Sequence, residues 1–143
     1  MDNYRSLSQP VRLIYPSNYH PVPSYLAPGS FTNGLLFIGG QVALDAHGRL
    51  VGSGDIEAQT TQVLKNTFAL LDHCGCTVRD LTMVTVYLRS MSYFPGFNRV
   101  YERAMEGWAP PRTTTKAELV DPEFLVEIQA IASAAEGQGG FPS

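Results

Sequence analysis

Two segments, LLFIGGQVAL (residues 35–44) and LTMVTVYL (81–88), carry no charge and are apolar at odd and even positions alike. Successive side chains of a strand point to opposite faces, so a sheet built on such segments needs cover on both sides. Only two stretches can become helices to supply it. Over 55–74, Ile56, Thr60, Val63, Leu64, Thr67, Phe68, Leu71 and Cys74 fall on one stripe at spacings of three and four. Ser53 or Asp55 can cap its start and Gly75 suits a left-handed stop. A second helix is predicted over about 93–105, with Phe94, Phe97, Val100, Tyr101 and Met105 inward. Two helices cover one face of one sheet. The other face needs a different cover, and self-association is the simplest one.

Shorter strands complete the pattern. VRLIY (11–15) alternates apolar and polar residues, and RLVG (49–52) can pair back across the turn DAHG. TTTKAEL (113–119) and FLVEIQAIAS (124–133), joined by VDPE, are the last two strands. Residues 16–34 hold four prolines and two glycines and read as a long loop, a length that is usually functional or disordered. Gly39-Gly40 interrupts its strand and marks a bulge or a close backbone approach. The order β, long loop, β-β-α-β-α-β-β predicts an α+β fold: a two-layer sandwich of a mixed β-sheet with two helices on one face. One domain spans 1–143, with 1–23 an amino-terminal strand and Pro-rich loop and 136–143 a flexible tail.

Composition narrows the function. Charged residues make up only 16% of the chain against 44% apolar, which again points to a covered surface. The net charge is −3 with no run of lysines or arginines, so clustered-cation binding of nucleic acid is not expected. No segment approaches the roughly 20 apolar residues of a membrane span, and the first residues lack the basic-then-apolar pattern of a signal peptide. Cys74 and Cys76 flank Gly75, with only His73 beside them as a further metal ligand. Reduced thiols in a cytoplasmic protein are the expectation. No phosphate loop, metal pair or dinucleotide fingerprint occurs, so no cofactor is expected.

The polar residue that stands out is Arg112. It follows two prolines and opens the β-branched run Thr113-Thr114-Thr115, at the mouth of a strand on which Arg112 and Thr114 share a face. A guanidinium can grip a carboxylate with two parallel hydrogen bonds; the plainer alternative is a surface pair, for instance with Glu118. The Gly39-Gly40 bulge can expose backbone donors to an anion, or simply allow tight packing. Asn98 and Tyr101 share a face of the second helix and can orient a ligand, although a core tyrosine explains Tyr101 as well. Glu127 and Gln129 share a face of the last strand among apolar neighbours, where they can position a water or satisfy each other.

The ordered set PGSFTNGLLFIGGQVALD, DIEAQTTQVLKNTFALL, GCTVRDLTMVTVYL, FPGFNRVYERAM, PPRTTT and LVEIQAIA resembles the Rid (YjgF) family of enamine/imine deaminases over about residues 24–132. PGSFTNG and LVEIQAIA look closest to its RutC-like branch, associated with aminoacrylate breakdown. The resemblance implies a chorismate-mutase-like fold whose helix-free faces trimerise into a central β-barrel, with sites between subunits for a small-molecule carboxylate. It implies that Arg112 grips the carboxylate and Gly40 supplies a backbone donor opposite. Thr114, Asn98 and Tyr101 would lie nearby, and Tyr25 would stand for the family tyrosine of the first loop. Catalysis would fall to Arg112, Glu127 and Gln129, with Gln129 where the best-known branch has a glutamate and Gly39 and Thr114 where it has serine and cysteine. The alternatives are a Rid-like enzyme for a larger metabolite, a non-catalytic carboxylate-binding module, and RNA cleavage, which the acidic charge disfavours.

Overall fold

The β-branched and apolar runs become one six-stranded mixed sheet in the computed structural model of the chain, which describes residues 10–134. In chain order the elements are β1 (Arg12–Ile14), β2 (Gly29–Thr32), β3 (Leu35–Gln41), α1 (Ile56–His73), β4 (Leu81–Leu88), α2 (Phe94–Met105), β5 (Arg112–Lys116) and β6 (Val126–Ser133). The spatial order is β1-β2-β3-β6-β4-β5, antiparallel throughout except for the parallel pair β4–β5. The expected carboxy-terminal tail lies outside the described residues.

Six strands were expected, but one of them is a different segment. RLVG makes only an isolated bridge, Leu44 to Leu50, whereas Gly29–Thr32 inside the supposed long loop is a full strand. The reason is local. Asn33 and Gly34 both adopt positive φ (51° and 76°), the conformation of a two-residue hairpin turn whose twist matches paired strands. The hairpin pairs Thr32 with Leu35 and buries Phe31.

Both β-α-β connections step across the sheet in the same direction, from β3 past β6 to β4 and then from β4 to β5. Such crossovers take a right-handed path, so both helices fall on the same face. Leu36, Ile38, Val84, Val86, Ile128 and Ala130 are buried beneath them. On the opposite face a row runs in register from Leu13 through Ser30, Phe37 and Ile131 to Met83. Leu13 is 60% exposed and Phe37 37% exposed, so this row, Ser30 apart, is apolar and open.

Asp55 caps α1 by accepting the Ala58 N–H at 3.1 Å, and Gly75 follows the helix at φ 71°. Thr60, Val63, Leu64, Thr67 and Leu71 of the expected stripe are buried, Ile56 and Phe68 are half-buried, and polar Gln59 and Asn66 are buried with them. The Gln59 amide donates to the Gly52 and Glu123 carbonyls (3.1 and 2.9 Å) and accepts the Leu125 N–H at 2.9 Å. Arg89 grips the same connection, donating to the Phe124 and Asp121 carbonyls at 2.7 and 2.6 Å. Among the described residues no helix is long and apolar enough to cross a membrane. Gln59→Leu strands these backbone groups and should lower stability by about 2–4 kcal/mol, read as a drop in the denaturant midpoint at unchanged slope.

Candidate active site

Arg112 opens β5 at the sheet edge, in register with Val84 of β4. The carbonyl of Pro111 accepts the Val84 N–H at 3.0 Å, so the prolines anchor the strand through the one backbone group they retain. Because Val84 faces the helices, so does Arg112. Its guanidinium carbon lies 4.6 Å from the centre of the Tyr101 ring, 5.5 Å from Phe97 and 5.8 Å from Phe94. These faces hold the cation in place without accepting its N–H donors in the way an oxygen would. Among the described residues the salt bridges are Arg49–Asp45 and Arg99–Glu57, so Arg112 has no carboxylate partner and the Glu118 pair is not formed.

Beside this cation is an open cavity of about 340 Å³, lined by Arg112, Asn98, Tyr101, Met105, Trp108 and Pro110 among others. Burial raises the Tyr101 pKa. Arg112 approaches the hydroxyl and opposes that rise, but out of hydrogen-bonding geometry, which leaves the buried oxygen without a partner. A caged cation and an unsatisfied hydroxyl at one cavity suit an oxyanion with several acceptor positions.

The expected bulge is present. Ile38 pairs with Ala130 and Gln41 with Ile128, so three steps on β3 match two on β6 and Gly40 has no partner residue across the ladder. The side chain pressed against it is Glu127: a Cβ built on Gly40 would lie 2.8 Å from Glu127 Oε2. Glu127 is half-buried, with no hydrogen bond or ion pair among the described residues. Desolvation therefore lifts its carboxyl above the ordinary 4.5. Gln129, two residues on, is exposed in a separate cavity of about 390 Å³ with Phe37, Met83, Thr85 and Ile131. The two do not bond to each other. The group at the glycine bulge is thus a carboxylate, not the Gln129 amide.

The register also divides the expected site. Arg112 and Thr114 pair with Val84 and Val86 and face the helices. Glu127 and Gln129 pair with Tyr87 and Thr85, which pair with Thr115 and Thr113, on the helix-free face. Arg112 and Thr114 share a face as expected, but Arg112 and Glu127 project from opposite sides of the sheet. Tyr25 is 84% exposed on the outer loop and lines neither cavity. Sequence reasoning missed Trp108 as a cavity wall and Phe94 and Phe97 as the faces holding Arg112; inward spacing on α2 had assigned both phenylalanines to the core alone.

Fold and cleft together define a small α+β protein with an anion-receptive arginine that its own described residues leave without an acidic partner. The family profile described as Endoribonuclease L-PSP matches residues 17–134. A RutC family protein of Pyrococcus horikoshii is 35% identical over 117 residues, 82% of this chain and 90% of the relative. The Rid family protein YyfA of Yersinia pestis superposes with a TM-score of 0.82 at 29% identity, covering 87% of this chain and 100% of that one. The YjgF gene product of E. coli gives 0.77 at 23%, covering 85% and 98%. The chain belongs to the Rid/YjgF/L-PSP family, whose members are enamine/imine deaminases and form homotrimers.

The close approach of Gly40 and Glu127 is directly testable. In Gly40→Ala the new methyl displaces the carboxylate, whose end can swing toward water. The variant should fold within about 1 kcal/mol of the parent, and the Glu127 titration followed by side-chain carbon NMR should move back toward 4.5.

Proposed function

We propose that the protein hydrolyses small enamine/imine carboxylates to a 2-keto acid and ammonia. The observation that carries this reading is the Arg112 guanidinium, caged by three rings and unpaired with any described carboxylate beside an open cavity. The opposite facing of Arg112 and Glu127 supports a site shared between chains. In the proposed homotrimer the apolar helix-free faces pack together, and Arg112 of one subunit meets the bulge and Glu127 of its neighbour. Arg112 holds the substrate carboxylate by two hydrogen bonds, and the Gly40 N–H adds a third.

Glu127 is the base in this scheme. Its raised pKa places it nearer the working pH than an ordinary carboxylate. It takes a proton from the water that attacks the imine carbon and delivers it to the imine nitrogen, giving a neutral carbinolamine. Collapse of the resulting carbinolamine forms the keto C=O and breaks the C–N bond. Glu127 accepts the hydroxyl proton in this collapse and passes it to the nitrogen, which leaves as ammonia. An amide cannot do this, so Gln129 is assigned to packing or substrate contact. Free imines hydrolyse unaided, and acid–base help of ~10²–10⁴-fold suffices. RNA cleavage, which the family profile's description suggests, finds a single cation in this cavity and a chain of net charge −3.

Three outcomes follow, read as keto-acid release from an enamine generated in place by an amino-acid lyase. Arg112→Ala should lose about 30-fold to several thousand-fold in kcat/KM, the equivalent of ~2–5 kcal/mol, with Arg112→Lys nearly as poor because a point charge cannot form the planar grip. A parent-like rate in Arg112→Ala would sink the clamp. Glu127 must be ionised to act, so the rate should fall as pH drops through its raised pKa. That limb should lie above 4.5 and disappear in Glu127→Gln, whereas Gln129→Glu should be tolerated. Sedimentation should show a trimer; a stable monomer near 15.6 kDa at micromolar concentration would refute the shared site.

A further inference from the structure

Two consecutive glycines have no side chains to hold a peptide plane, yet the Gly39–Gly40 peptide carries the N–H assigned above to the substrate carboxylate. In a planar trans peptide the C=O and N–H point in opposite directions, so whatever holds the Gly39 oxygen also aims the Gly40 N–H. The Gln41 side chain holds it: Nε2 donates to the Gly39 oxygen at 3.0 Å. Gln41 is buried, at 1% exposure. The preceding peptide is tied as well, because the Gly39 N–H donates to the Pro28 carbonyl at 2.9 Å.

The other end of the Gln41 amide meets Tyr19, whose hydroxyl donates to Oε1. That bond holds the amide in the orientation the Gly39 carbonyl requires. The Gly39 oxygen only accepts, so it faces the NH₂ and leaves Oε1 for the Tyr19 hydroxyl; a flipped amide would set two oxygens against each other at Gly39. Tyr19 packs against the core and stacks on His20 with ring centres 4.2 Å apart. Burial, set against the Gln41 bond, pushes the Tyr19 pKa up to about 12, so the phenol remains a donor at any working pH. We propose that Tyr19 and Gln41 are positioning residues that aim the Gly40 N–H at the anion, so that the Pro-rich segment is part of the substrate-binding apparatus. The proposal rests on Gly40 being a carboxylate donor, as read above.

The test uses full-length nitrogen-15-labelled protein and pyruvate, a 2-keto acid, as the probe. In the parent, pyruvate should shift the Gly40 amide resonance. Tyr19→Phe, which removes one oxygen and keeps the ring, should weaken pyruvate binding roughly five- to twenty-fold while leaving the strand amide fingerprint intact. Gln41→Met, of similar volume, should do at least as much. In the enamine assay both should raise KM by a similar factor with kcat within about twofold, because the carboxylate contact is the same in ground and transition states. If both variants bind pyruvate as the parent does and lose only thermal stability, the pair is merely structural and the proposal falls while the Gly40 reading stands. If Gly40 of the parent does not respond to pyruvate, the Gly40 reading falls and the proposal with it.

Discussion

Much of this molecule follows from one constraint, the shared hand and direction of its two β-α-β crossovers. Because β3-α1-β4 and β4-α2-β5 both step the same way across the sheet, both helices must cover the same face. Strand β6 then fills the gap between β3 and β4 and ties the halves by two antiparallel ladders. The consequence is a largely apolar row, Leu13 to Met83, on the face that α1 and α2 leave open. It also separates the chemistry: Arg112 faces the helices and Glu127 faces away. A sheet with helices on both faces would bury this row within the chain.

Two arginines show how environment assigns a role. Arg89 and Arg112 are both half-buried and both flank the edge-strand region. Arg89 spends its donors on the Phe124, Asp121 and Leu119 carbonyls and so fixes the connection into β6. Arg112 is surrounded by ring faces instead, which attract its charge by roughly 0.5–2 kcal/mol per ring yet leave its directional donors for another acceptor. The first is a structural clamp. The second keeps its donors free, as the proposed carboxylate grip requires. Orientation costs are met before any ligand arrives, a condition for strong binding by a flexible side chain.

The legible parts of the fold were those written in local periodicity. The α1 stripe, its Asp55 cap and the Gly75 stop were readable, as were β4, β6 and the bulge at Gly39-Gly40. The hairpin at Asn33-Gly34 was equally local, yet the surrounding prolines hid the short strand Gly29–Thr32. Burial of Gln59 was not readable, because its justification lies largely in one carbonyl and one N–H about 65 residues away. The same holds for Tyr19, which pairs with Gln41 across the Pro-rich segment. On the site, residue types and motif order singled out Arg112, Gly40, Asn98 and Tyr101, but pointed to Gln129 as the residue replacing a carboxylate when Glu127 is the one at the bulge.

By itself, then, the sequence determined which segments are strands and helices wherever apolar period, capping and β-branching agree, and it marked Arg112 by its setting between Pro110-Pro111 and three threonines. These are short-range properties, set by backbone sterics and neighbouring side chains. Tertiary structure alone decided which carboxylate stands against Gly40, that three rings converge on Arg112, and that Arg112 and Glu127 face opposite ways. Each of those depends on strand register and crossover direction, where a shift of one residue exchanges one face for the other and no local pattern records the choice.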